Sequence, residues 1–178
     1  MTLLRWARIP EAMLMLVITA GWASGQTTGG LVAGKGPVQK GKVVVMAVAD
    51  GKERGGDVAA GSGILVRSAL RDALVARGFA PFSSDSASMA DAIKEAKELA
   101  YDYVLRASIT EWEDNATAWS GKKDSITLSL ELYDLTPTLV ASSSHRQKGS
   151  SFAATDSAPD RLLAKAAEAA VGRVCGPR

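Results

Sequence analysis

From Ile126 to Tyr133 the chain alternates without a break: Ile126, Leu128, Leu130 and Leu132 are aliphatic, while Thr127, Ser129, Glu131 and Tyr133 are not. Successive side chains of a strand point to opposite faces, so this pattern demands a β-strand with one buried and one polar face. Asp134-Leu-Thr-Pro137 then supplies a turn, and residues 138–147 return as a more polar strand expected near a sheet edge. Together with the preceding hydrophobic stretch from Tyr103 to Trp112, these residues describe an antiparallel meander.

The part of the chain before the meander has a different grain. Val43-Val-Val-Met-Ala-Val48 is a continuous apolar run, expected for an interior strand covered on both faces. Val66, Leu70, Ala73 and Leu74 mark one stripe of a helix over residues 63–77 that ends at Gly78. Residues 79–82 form a short strand that Pro81 restricts to an edge or irregular end. Serines 83, 84, 86 and 88 precede a second helix with Met89, Ile93, Ala96 and Leu99 on one face. A last helix begins around residues 157–160 and turns Leu163, Ala166, Ala170 and Val174 inward. The order β-α-β-α-β-β-β-α implies an α/β two-layer sandwich, with a mixed sheet of about five strands and three helices.

At 178 residues, with 47% hydrophobic and 22% charged residues, the chain has the composition of one globular domain. The 21 basic and 19 acidic side chains are mixed along it, without the basic stripe that a phosphate backbone requires. Nucleic acid is therefore not an expected partner. Arg5 and Arg8, an apolar run from Met13 to Ala20 and the small residues Ala23-Ser24-Gly25 have the layout of a secretory signal peptide over residues 1–25. The run is shorter than the ~20 residues of a membrane span, so no stable transmembrane anchor is expected, an uncleaved anchor being the alternative. Gly-rich residues 26–40 read as a flexible linker, and residues 41–178 as the single α/β domain. Cys175 is the sole cysteine and is expected to be a bystander at a frayed terminus.

Chemistry-bearing residues concentrate between Tyr101 and Asp124. Glu111 and Glu113 should share one strand face, with Trp112 on the other and Asp114 adjacent. Parallel neighbours on one strand do not flank a scissile sugar bond, so a solvated or partner-binding surface is favoured over a weak hydrolase or carbohydrate-active enzyme using Glu111, Glu113 and Asp114. Trp112, Glu113, Asp114 and Trp119 are the candidate partner-binding residues; the alternative for both tryptophans is a packing clamp. His145 follows Ser142-Ser-Ser144, yet a single strand cannot converge a nucleophile and its base. No catalytic residue, metal site or cofactor is assigned. The Gly-rich stretch 50–63 matches neither phosphate-loop spacing, and is expected to be a mobile loop whose Ser62 caps the following helix.

The segment Ile109-Thr-Glu-Trp-Glu-Asp-Asn-Ala-Thr-Ala-Trp-Ser-Gly121, followed by Ile126-Thr-Leu-Ser-Leu-Glu-Leu-Tyr-Asp-Leu135, resembles a bacterial family of envelope lipoproteins with a domain of unknown function, DUF4823. Gly61-Ser-Gly63 at the first helix fits the same pattern. More distantly, the arrangement is similar to the amino-terminal domain of the Tol-Pal protein TolB and to lipoprotein activators of peptidoglycan synthases. The resemblance implies a periplasmic, non-enzymatic domain that works through contacts with an envelope protein or cell-wall component. Gln26 stands where the family's acylated cysteine would be, so no lipid is expected.

Overall fold

The computed structural model describes residues 37–114, 123–149 and 159–176. Its elements follow the expected order: β1 (Lys42–Val45), α1 (Ser62–Val75), β2 (Ala80–Ser83), α2 (Met89–Glu98), β3 (Tyr103–Glu113), β4 (Ser125–Asp134), β5 (Leu139–Lys148) and α3 (Pro159–Val174). They build an α/β fold on one mixed sheet with strand order β2-β1-β3-β4-β5. β1 runs parallel to β2 and β3, while β3, β4 and β5 are antiparallel neighbours.

Strand order decides where the helices go. The chain moves one way across the sheet from β1 to β2, then back over β1 to reach β3. Right-handed crossovers made in opposite directions leave their helices on opposite faces. Accordingly, Val43 and Val45 join the core of α1 and α3, and Val44 and Met46 join a smaller core with Ala92, Ile93 and Ala96 of α2. That double coverage is why the valine run lacks alternation.

Over β4 and β5 the described residues cover only one face, and there they form a two-layer sandwich. Ile126, Leu128, Leu130 and Leu132 are fully buried beneath α3, and each aliphatic side chain removed from water stabilises by about 1.5–3 kcal/mol. Ala166, Ala167 and Ala170 of α3 are likewise fully buried, small side chains that let the helix lie close to the sheet. Among the described residues no helix covers the opposite face of β4 and β5. At the β4–β5 turn, Asp134 Oδ1 accepts from the N–H groups of Thr136 at 2.8 Å and Thr138 at 3.0 Å, a side-chain substitute for a backbone turn.

Candidate functional site

β3 carries an irregularity that sets the chemistry of its far end. Its pairing with β4 shifts between Ile109 and Glu111, so Thr110 is extra. Leu105, Ala107 and Ile109 face the α1–α3 core; continued alternation would send Glu111 and Glu113 after them. The bulge reverses the phase, returning Trp112 to the core and turning both carboxylates to the open face.

On that face Glu111 is held from two strands. Its carboxylate accepts from Thr127 Oγ1 at 2.7 Å and Ser125 Oγ at 3.1 Å on β4, and pairs with Arg146 of β5. Glu113 faces Arg54 Nε at 3.6 Å, and Asp114 is exposed. A second cross-strand unit lies further along: Arg106 pairs with Glu131 at 2.6 Å, and Tyr133 Oη donates to the same carboxylate at 3.0 Å. Burial, then Glu131, raises the Tyr133 hydroxyl pKa above its ordinary value. Charge alternates across the face, and each glutamate has a cation of its own. Among the described residues no cluster of three or more His, Cys, Asp and Glu side chains is placed to hold a metal ion.

Trp112 is only 6% exposed. The backbone of Gly51 lies against it, so close that a Cβ there would stand 3.0 Å from Trp112 Cβ and 2.8 Å from Ile109 Cγ2. Trp112 is thus packed where the loop after β1 meets β3, whereas Glu113 and Asp114 lead outward. Trp119 lies outside the described residues, as does nearly all of the expected signal and linker segment. Sequence reading alone missed Arg146, Arg106, Ser125 and Thr127 as companions of the glutamates. The polar phase of β4 was legible, but its register against β3 and β5 was not.

The loop after β1 departs from its expected form. It folds into a small hairpin, with Lys52 bridged to Val58 and Gly51 O accepting from Ala59 N–H at 3.0 Å. Ser62 does not cap α1; its Oγ accepts from Gly51 N–H at 2.8 Å. The cap is Asp50, whose carboxylate accepts from Gly63 N–H at 2.8 Å and Gly61 N–H at 3.1 Å. Those bonds, Gly63 first, hold its carboxyl below the ordinary aspartate value. The helix terminus where an anionic ligand would dock is occupied by the chain's own carboxylate.

Ser143 and His145 are buried on the α3 side of β5, with Ser143 Oγ donating to Ala170 O at 2.9 Å. Burial lowers the His145 imidazole pKa, and Ser143 is engaged by the helix rather than aimed at a substrate. Cys175, expected at a frayed end, is buried in the main core, and its thiol pKa is pushed up to about 12 by burial. An open cleft of about 450 Å³ lies at the other end of β3, lined by Lys40, Tyr103, Asp134 and Val140. It is separated from Glu113 by the length of the strand, roughly 30 Å.

Among solved structures, a point variant of the PelC dodecamer from Paraburkholderia phytofirmans is similar with a TM-score of 0.59 and 19% identity, covering 81% of this chain and 96% of that one. A second crystal form of the PelC dodecamer from the same organism gives 0.58 and 18%, covering 84% and 95%. A Xanthomonas campestris protein of the DUF330 family gives 0.48 and 14%, covering 79% and 85%. At these identities the PelC likeness concerns the fold. No curated protein matches the sequence. The family model described as Domain of unknown function (DUF4823) matches residues 37–169, and the chain belongs to that family.

Proposed function

We propose that the protein is an exported, envelope-associated binding domain that works through protein contacts on the open face of β3–β5 and the segment that follows it. The observation that carries this reading is that, among the described residues, β4 and β5 are covered by a helix on one face only. α3 lies on one face of β4 and β5, while the other presents Glu131 and Arg146, paired with Arg106 and Glu111 of β3, beside rows of serine and threonine. Glu113, Asp114 and Trp119 are the contact residues, and buried Trp112 is the anchor from which the segment departs. Contact energy at interfaces concentrates in a few aromatic and charged anchors. Export rests on the layout of residues 1–25; among the described residues no helix is long and apolar enough to cross a membrane. The hydrolase alternative has little support, because Glu111 and Glu113 face separate cations.

Crosslinking in intact cells, followed by mass spectrometry, tests the reading. Trp119→Ala and Asp114→Lys should reduce crosslinks to the same envelope partner severalfold, with melting temperatures close to that of the parent. Unchanged crosslinks in folded variants would refute it.

A second reading, self-association, is favoured by a separate observation. Val58 in the hairpin before α1, and Ile64 and Leu65 in the first turn of α1, are 58%, 67% and 47% exposed, and the similar PelC structures are dodecamers. Sedimentation of the parent and of Ile64→Asp decides it: a larger species that the substitution dissolves supports assembly through this patch.

A further inference from the structure

The two edges of the sheet are unlike. β2 has four residues and includes Pro81, and shortness and proline both blunt an edge. β5 has ten residues and no proline, and its one register shift lies near its start, opposite Leu132 and Tyr133. Bonds at both ends of the β4–β5 ladder show which way its backbone points. Asp134 N–H donates to Thr138 O, and Gly149 N–H donates to Asp124 O. The even-numbered residues of β4 therefore address β5. In the register Ile126↔Gln147, Leu128↔His145 and Leu130↔Ser143, the residues exchanging bonds with β4 are the odd-numbered ones. Ser142, Ser144, Arg146 and Lys148 direct their N–H and C=O groups away from the sheet.

No described segment pairs with that edge. A side chain does reach it: Arg173 of α3 donates from Nη1 to Ser144 O at 3.1 Å. Among the described residues the charged side chains of this border are basic, Arg146 and Lys148 on the strand and Arg173 from the helix. Arg146 is paired inward with Glu111 of β3, so the charge offered to an incoming strand rests on Lys148 and Arg173.

We propose that the outer edge of β5 accepts one further strand, an extended acidic segment of a partner protein. Main-chain bonds to Ser142, Ser144 and Arg146 supply the binding, as in other strand additions. An incoming N–H takes over Ser144 O, and the displaced Arg173 guanidinium meets a carboxylate of the incoming strand. The exchange keeps Ser144 O bonded and sets the Arg173 cation beside the incoming strand, which selects for acidic side chains. A second copy of the same edge is a poorer occupant. Two-fold pairing about Ser144 would bring both Arg173 guanidinium groups to one place. This border belongs to β5, whereas Glu113 and Asp114 leave the end of β3, so either proposal can fail its test alone.

The probes are two short labelled peptides, one alternating valine with glutamate and one alternating valine with lysine, titrated by fluorescence anisotropy into the purified full chain. The glutamate peptide should bind at least about tenfold more tightly than the lysine peptide. Ser144→Pro replaces an outward N–H, which an edge strand tolerates, and should abolish binding with an unchanged circular dichroism spectrum. Arg173→Gln should bind both peptides alike. If Ser144→Pro fails to fold, a glutamate peptide N-methylated along one edge supplies the same comparison and should not bind. Binding of neither peptide, equal binding by the parent, or retained binding by folded Ser144→Pro or by the N-methylated peptide would overturn the proposal. So would a dimer in sedimentation that Ser144→Pro dissolves, because the occupant would then be a second copy.

Discussion

Gly63 lies so close beneath Val48 that a Cβ on it would stand 2.1 Å from the Val48 carbonyl oxygen. The glycine that opens α1 is therefore a packing requirement. Gly63→Ala should destabilise the domain by about 1–3 kcal/mol, since the helix start must move away from the backbone of Val48 and Ala49. Gly55→Ala, where the nearest atom outside its chain neighbours is Asp57 Oδ2 at 3.9 Å, is the control with little expected effect. Urea midpoints of the two variants make the comparison.

Asp50 stabilises the same helix start through its charge. Its folded pKa lies below 3.8 because Gly63, then Gly61, donates backbone N–H groups to it. A depressed carboxylate stabilises above its unfolded pKa, and the contribution disappears as pH falls through the folded value. Asp50→Asn should lower the melting temperature at neutral pH and bring the two proteins together in strong acid. A difference that persists at low pH would exclude the ionic part of the cap.

Leu130 is fully buried in the middle of the apolar row of β4. Leu130→Asp should abolish folding, because an unpaired carboxylate in that core has no partner. Ser129→Asp, on the open face, should fold. Thr127→Asp is a poorer control, since Thr127 Oγ1 already donates to Glu111 Oε2 and a carboxylate there would repel it. Far-ultraviolet circular dichroism of the soluble fractions separates these outcomes.

His145 is 2% exposed, and its Nδ1 has no hydrogen-bond partner among the described residues. Burial pulls its pKa below 6.5, opposed by the Gln147 amide and reinforced by the Arg173 cation. The unfolded chain therefore takes up a proton that the folded one resists. Stability is full above the unfolded value and falls as pH drops below it. Melting temperatures between about pH 7 and about pH 5 should decline in the parent, and decline less in His145→Leu.

Cys175, buried and with its pKa pushed up to about 12, carries almost no thiolate at neutral pH. A maleimide should label it slowly in the native protein and rapidly in denaturant. Rapid native labelling would mean that the end of α3 opens readily.

Local patterns determined much of this protein. The alternation of Ile126 to Leu132, the stripes Val66–Leu70–Leu74 and Leu163–Ala166–Ala170, and the unbroken valines of β1 each state a period and a degree of burial, and the structure places them accordingly. Gly78, with a φ of 81°, marks the left-handed turn after α1 that its residue type alone suggests. What the sequence could not decide depends on neighbours distant along the chain. The face taken by α2 follows from strand order. The outward turn of Glu111 follows from one extra residue at Thr110, whose place is defined only against β4. Its pairing with Arg146 requires the registers of two ladders at once. Asp50 replaces Ser62 as the cap because the loop folds back on α1, and Cys175 is buried because α3 packs on the sheet to its last turn. Periodicity is a property of one segment, whereas register, facing and capping partner are relations between segments, which exist only once the chain has folded.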